Sequence, residues 1–73
     1  MTTADKIIAL LTPGIGKMMA ESSLKGQCKH LGIQIEAISP RDLPELAQNI
    51  SKALVMFVGT DKAKKIEQDI LKC

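Results

Sequence analysis

The amino-acid sequence predicts an all-α fold of four short helices, arranged as two helical hairpins that are joined by an extended linker in a small orthogonal bundle. Apolar residues recur at helical spacing along most of the chain, and proline and glycine interrupt that spacing. One stretch alternates between apolar and polar residues, but the sequence shows no second strand with which it could pair. Residues 1–73 are expected to form a single small helical domain.

The first helix is predicted from about Ala4 to Leu11, where the apolar residues fall on one side. Thr2 or Thr3 can cap its N-terminus, because a threonine hydroxyl accepts a hydrogen bond from a free helix N–H group. The segment Thr12-Pro13-Gly14 is expected to end this helix, since proline and glycine both disfavour helix continuation.

The second helix is predicted from Gly16 or Lys17 to Leu31, and its C-terminus carries the clearest end signal in the chain. Gly32 follows the last apolar residue, at the position where helices commonly adopt a left-handed conformation. Ile33 comes next and is placed to fold back onto the helix.

The segment from Ile33 to Ser39 alternates apolar with polar residues, which is a strand signal. An isolated strand is not stable, so the segment is interpreted as an extended linker held down by Ile33, Ile35 and Ile38. Strand pairing between two chains is the alternative.

The third helix has two possible starts, one at Ser39 and one at Asp42, each with an acidic residue three positions later. Its apolar stripe is regular from Leu43 to Phe57. Residues 53–58 are apolar on every side, which predicts either a central element or an interface. After Gly59, a fourth helix is predicted from about Asp61 to Leu71, with Ala63, Ile66 and Ile70 facing inward.

A shift of 43 residues aligns parts of the chain with each other. The aligned pairs are Ile7 with Ile50, Leu11 with Leu54, Ile15 with Val58, Gly16 with Gly59, Ala20 with Ala63, Cys28 with Leu71, and Lys29 with Lys72. The repeat indicates two similar helix–turn–helix units, although chance matches are common in helical sequences.

The first of these units contains Leu11-Thr12-Pro13-Gly14-Ile15-Gly16-Lys17-Met18-Met19-Ala20-Glu21, which resembles the helix-hairpin-helix family over residues 7–24. The resemblance implies binding of a nucleic-acid phosphate, without reading of base sequence, by Gly14, Ile15, Gly16 and Lys17. This chain departs from the family pattern at Ser23, where an apolar residue is usual, and in the second unit at Phe57, which replaces the first glycine. The simpler interpretation is that the glycines and proline only turn the chain, and a contact with a protein partner is a third.

The sequence shows no arrangement typical of catalysis, so we expect a protein that is not an enzyme, with no catalytic residues, no cofactor and no metal site. Cys28 and His30 are two residues apart and point to different faces of a helix, and a structural zinc site needs more soft ligands than this chain provides. No segment approaches the roughly 18 apolar residues of a membrane span, so no membrane partner is expected. Two cysteines and no signal-like start predict a cytoplasmic protein with free thiols.

The function predicted first is a non-catalytic interaction module that binds a protein partner, or a second copy of itself, through apolar helical surface. The candidate partner-binding residues are Met18, Met19, Val55, Met56 and Phe57. The methionines can instead fill gaps in a core that has only one aromatic residue, and this is the favoured interpretation. The alternative function is nucleic-acid binding at residues 13–17, although a net charge of +2 does not by itself imply it.

Overall fold

The computed structural model describes residues 2–73 and contains four α-helices, with no strand in that range. The helices are α1 (Thr3–Ile15), α2 (Lys17–Leu31), α3 (Leu43–Val58) and α4 (Thr60–Leu71). The predicted all-α fold is therefore confirmed. Within the described range, none of these helices combines the length and the apolar character that crossing a bilayer requires.

Helix α1 continues past its predicted end at Leu11 and runs through Pro13 and Gly14 to Ile15. Proline leaves the carbonyl four residues earlier without its N–H donor, but Pro13 lies in the last turns, where few hydrogen bonds depend on it. The Thr12 hydroxyl donates a hydrogen bond to the Ile8 carbonyl oxygen at 2.7 Å, one turn earlier in the helix. The prediction that proline and glycine end this helix was therefore wrong.

Replacing Pro13 by alanine should stabilise the protein, because the alanine restores the backbone N–H that α1 lacks at this position. We expect a gain of about 1 kcal/mol in the free energy of unfolding, less than the cost of proline in a helix interior because Pro13 also stiffens the unfolded chain. Chemical denaturation followed by circular dichroism measures the change.

The control is Pro40, which begins a short 3₁₀ turn at Pro40–Asp42 and needs no N–H donor there. Pro40→Ala should lower the free energy of unfolding by about 0.5 kcal/mol, because it only loosens the unfolded chain. Equal effects of the two substitutions would show that Pro13 does not interrupt the hydrogen bonds of α1.

The C-terminus of α2 has the predicted geometry. Gly32 adopts a left-handed conformation with φ 72° and ψ 28°. The Ile33 N–H donates to the Cys28 carbonyl oxygen at 2.8 Å, which satisfies one of the free carbonyls at the helix end. Glycine is needed here because a left-handed conformation is costly for residues that carry a Cβ atom.

The linker between α2 and α3 is less extended than predicted, since Ile35–Ala37 form a 3₁₀ turn. Ile33, Ile35 and Ile38 are nevertheless half-buried and pack against the core, as predicted. The linker ends where the Asp42 carboxylate accepts two hydrogen bonds from Ser39, one from its N–H and one from its hydroxyl, both at 3.0 Å. The Ser39 signal therefore caps the 3₁₀ turn Pro40–Asp42, and α3 begins at Leu43, directly after Asp42, whose side chain makes no capping hydrogen bond to α3.

The core is aliphatic, and α3 contributes more buried residues to it than any other helix. The largest fully buried side chains are Ile7, Leu11, Leu24, Leu46, Ile50 and Ile70. One buried polar side chain joins α3 to α4: the Ser51 hydroxyl donates to the Ala63 carbonyl oxygen at 3.1 Å. The predicted inward positions Ala63 and Ile70 are buried, and Ile66 is half-buried.

The two halves of the chain use the same turn. Gly16 joins α1 to α2 with φ 86° and ψ 158°, and Gly59 joins α3 to α4 with φ 88° and ψ 165°. In four of the residue pairs that are 43 positions apart, both residues are buried. These pairs are Ala4 and Ala47, Ile7 and Ile50, Leu11 and Leu54, and Ala20 and Ala63. These observations are consistent with the two similar hairpins that the sequence predicts.

Candidate interaction surface

Three of the five predicted partner-binding side chains are largely exposed. Met56 is 91% exposed, Met18 84% and Phe57 63%, so none of them belongs to the core. Met19 and Val55 are about 40% exposed. The interpretation of these methionines as core-filling residues was therefore wrong.

The exposure at the end of α3 follows from the helix's apolar stripe. Ile50 and Leu54 point into the core, and the next inward position is Val58. Met56 lies off this row and faces outward, where it is 91% exposed. Phe57, which the sequence places at the end of the stripe, stands at the edge of the core and is 63% exposed. A helix end that is apolar on every side thus presents part of its apolar surface to solvent.

A groove between α2 and α3 lies beside these exposed side chains. Its lining residues are Gly26, Gln27, His30, Asn49, Lys52 and Ala53. Gln27 and Ala53 also line a cavity of about 80 Å³ whose wall includes Ile15 and Phe57. The groove therefore leads directly to the exposed end of α3.

Of the predicted side chains, only Phe57 lines the cavity, and helix spacing places Met19 and Met56 next to lining residues. Met19 lies one turn before Ser23, which lines the same cavity as Phe57, and Met56 lies one turn after Lys52. Val55 lies one turn after Ser51, which faces α4, so Val55 is on the other side of α3. Met18 lies on the solvent-facing side of α2, where it is 84% exposed.

Helix spacing predicted that residues 53–58 are either central or an interface, but it did not decide between them and did not predict the groove. Gly26 and Ala53 carry no functional group that could have identified them in the sequence. They line the groove only because they lie where α2 and α3 meet. Leu71, which is 45% exposed near the end of α4, was also missed. Its apolar character is the only signal that could have identified it.

A second groove lies between α1 and α4 at positions related to the first by the 43-residue shift. Its lining residues are Lys6, Ala9, Leu10, Asp69, Lys72 and Cys73. The shift places Leu10 on Ala53, Lys6 on Asn49 and Ala9 on Lys52. The two grooves therefore have related positions but different side chains.

The proposed phosphate-binding residues occupy two kinds of position. Gly14 and Ile15 lie inside α1, and the Gly16 N–H donates to the Thr12 carbonyl oxygen at 2.8 Å. Lys17 is exposed at the first position of α2, whose N-terminus has no side-chain cap. The amide donors that face outward are thus those of α2, not those of the glycines.

Gly14 has a packing role in the structure. A Cβ atom on Gly14 would lie 3.2 Å from Cγ1 of Val58, which is closer than ordinary van der Waals contact. The glycine therefore lets the end of α1 approach the end of α3.

Neither cysteine has the surroundings of a reactive thiol. Cys28 is 2% exposed, and burial raises the pKa of its thiol, with smaller contributions from the negative charges of Asp42 and Glu36. Burial also raises the pKa of Cys73, which is half-buried near the C-terminus. Over residues 2–73, no three His, Cys, Asp or Glu side chains are grouped so that they could hold a metal ion.

The raised pKa of Cys28 predicts a loss of stability at high pH. The unfolded thiol releases its proton at the ordinary value near 9, whereas the folded protein keeps the thiol protonated to higher pH. The free energy of unfolding should therefore be insensitive to this group below pH 9 and decrease as the pH rises above it. Denaturation at several pH values between 7 and 10.5 measures the slope, and Cys28→Ala should make it less steep.

Cys73→Ala is the control for the same experiment. The Cys73 thiol is less buried, and the positive charge of Lys6 partly offsets the increase in its pKa that burial causes. At neutral pH, iodoacetamide should modify Cys73 at least about tenfold faster than Cys28. Equal rates of modification in the native protein would contradict the buried position of Cys28.

Comparison with known proteins finds no matching family model, no significantly similar curated protein and no significantly similar solved structure.

Proposed function

We propose that this protein is a non-catalytic interaction module that binds a protein through the apolar surface at the end of α3. One observation supports the proposal most directly: Met56 is 91% exposed, although Leu54, two residues earlier on the same helix, is 3% exposed. Apolar side chains that stand together in solvent are typical of interaction sites. Methionine suits such a surface because its flexible side chain adapts to different partners.

We also propose that the protein works in the cytoplasm. Both cysteines are free in the structure, and Cys28 is buried without a second cysteine against it. Free thiols are stable in a reducing compartment, whereas secreted domains of this size commonly rely on disulfides.

A photo-reactive amino acid at position 56 tests the interaction proposal. We expect it to cross-link to a protein in extracts of the source cell, or to a second copy of the chain. The matched control places the same amino acid at Gln68, which is exposed on α4. Sedimentation across a range of concentrations shows whether the chain associates with itself. A strictly monomeric protein with no cross-link from position 56 beyond that from position 68 would contradict the proposal.

Nucleic-acid binding at the first turn is the second candidate, and the exposed Lys17 beside the uncapped N-terminus of α2 favours it. Binding of a DNA duplex or single strand at low salt should weaken steeply as salt is added, and Lys17→Glu should abolish it. Gly14→Val is a poorer test because the new side chain would press against Val58. No binding at low salt would dismiss this candidate.

A further inference from the structure

The two halves of the repeat differ at the end of the bundle where both glycine turns lie. Gly14 approaches Val58 there, so the turn at Gly16 and the turn at Gly59 are neighbours. Core positions are similar in the two halves, but exposed positions at this end are not. The differing pairs, each 43 positions apart, are Met18 and Asp61, Met19 and Lys62, Met56 and Pro13, and Phe57 and Gly14.

One half of this end is apolar, and the other half carries charged or small residues. Met18 and Met19 lie in the first turn of α2, and Met56 and Phe57 lie in the last turn of α3. These four side chains are named the apolar end. The equivalent turns of α4 and α1 have the same backbone path without any large apolar side chain at these positions. The fold therefore does not require apolar side chains here, and their presence is explained by contact with another molecule.

The exposed area of the apolar end approaches that of one side of a dimer interface. A fully exposed side chain of this size presents about 200 Å², so the four together present roughly 550 Å². The largest apolar patch on a monomeric protein is usually about 300–600 Å². A specific interface covers about 800 Å² on each partner. The apolar end thus supplies most of one partner's share, and the residues around it complete the rest.

The composition of the apolar end fits a second copy of the chain. None of its four side chains is charged, and interfaces between identical copies are more apolar than those between proteins that also exist separately. The neighbouring charges have both signs, with Lys17 on α2 and with Asp61 and Lys62 on α4. This mixture does not strongly repel a second copy, and it does not select a strongly acidic or basic partner.

We propose that the chain forms a two-fold symmetric dimer in which the apolar end of one copy packs against the apolar end of the other. This inference rests on the proposed function and names the partner as a second copy. The contact buries about 1,100 Å² of apolar surface in total, which is near the lower limit for a specific interface. We therefore expect a reversible dimer with a dissociation constant on the order of 10–100 µM.

Sedimentation equilibrium of the full chain tests the association itself. Over a range of about 1–500 µM, the average mass should rise from that of a monomer toward that of a dimer. The melting temperature should increase over the same range, because association stabilises the folded state. A chain that stays monomeric throughout would refute the inference.

A photo-reactive amino acid at position 56 locates the contact. In a mixture of isotopically labelled and unlabelled protein, a cross-link between the two forms must join two copies. We expect these cross-links to fall within residues 15–19 or 53–59 of the second copy. Cross-links that fall only in other parts of the second copy would refute the packing of one apolar end on the other.

The repeat supplies a variant that should weaken the dimer without disturbing the fold. Met18→Asp combined with Met19→Lys gives the first turn of α2 the residues that α4 carries after the equivalent turn, and adds no net charge. We expect at least about tenfold weaker association, while circular dichroism and the melting temperature of the monomer stay unchanged.

A second variant keeps the inference testable if the double variant does not fold. Met56→Gln makes one exposed apolar side chain polar and should weaken the dimer at least about fivefold. The matched control is Leu71→Gln, which makes the same kind of change at the far end of α4 and should leave the association unchanged.

The remaining outcomes separate this inference from the proposed function. A dimer that is insensitive to Met56→Gln, or equally weakened by Leu71→Gln, would form through a different surface and refute the inference. A monomeric chain whose position 56 cross-links to a different protein would refute the dimer but support the proposed function. A monomeric chain without any specific cross-link would overturn both.

Discussion

Leu54→Ala is expected to remove most of the stability of this protein. Leu54 is 3% exposed and packs in the core where α3 meets the other helices. Truncating a buried leucine leaves a cavity and costs about 3 kcal/mol, while a small domain has only a few kcal/mol in total. We therefore expect a fall in the melting temperature of more than about 10 °C, or a chain that is largely unfolded at 25 °C.

Met56→Ala on the same helix is the matched control. The same kind of truncation removes a side chain that is 91% exposed, so we expect a change within about 0.5 kcal/mol. Thermal and urea denaturation of both variants, followed by circular dichroism at 222 nm, compares them directly. A destabilisation by Met56→Ala that approached that of Leu54→Ala would mean that Met56 supports the fold, and that its surface is not free for a partner.

Gly16→Ala and Gly59→Ala are expected to destabilise the protein by about 2 kcal/mol each, because both glycines adopt a conformation that is essentially reserved for glycine. Gly16 has φ 86° and ψ 158°, and Gly59 has φ 88° and ψ 165°. Neither position is crowded, since nothing lies within 4 Å of the position of an added Cβ atom. The loss therefore measures backbone strain and not a steric clash with a neighbour.

Gly26→Ala provides the contrast, since Gly26 also has open space around it but lies inside α2. Alanine should there raise the free energy of unfolding by about 0.5–1 kcal/mol, through its better helix propensity. Urea denaturation of the three variants measures the difference. Similar effects at Gly16 and Gly26 would show that the first turn does not need its positive φ.

The sequence was sufficient to predict the helices because their signals are local. Gly32 was predicted to end α2 in a left-handed conformation, and this needs only the neighbouring residues. The end of α1 was predicted wrongly for a tertiary reason: Gly14 stays helical and packs directly on Val58, 44 positions away in the chain. Local propensity carries no information about such a contact.

The same distinction applies to the candidate site. The apolar run at 53–58 was visible in the sequence, and so was the alternative that its end is an interface. Periodicity could not decide whether Met18 and Met56 fill the core, because methionine is common both in cores and at binding surfaces. The groove depends on the approach of α2 to α3, which only the packed structure reveals.

The single-glycine turns also affect how rapidly the chain can fold. Gly16 and Gly59 each join two helices with no intervening loop, so each hairpin forms from residues that are close in sequence. Closing such short connections costs little chain entropy, and helical proteins dominated by local contacts fold in microseconds to milliseconds. We expect the slowest step to be the packing of α1 and α2 against α3 and α4 across the 33–42 linker, because it joins residues that are far apart in the sequence. A substitution that slows this step should prolong the exposure of the aliphatic faces to other chains and increase the risk of aggregation.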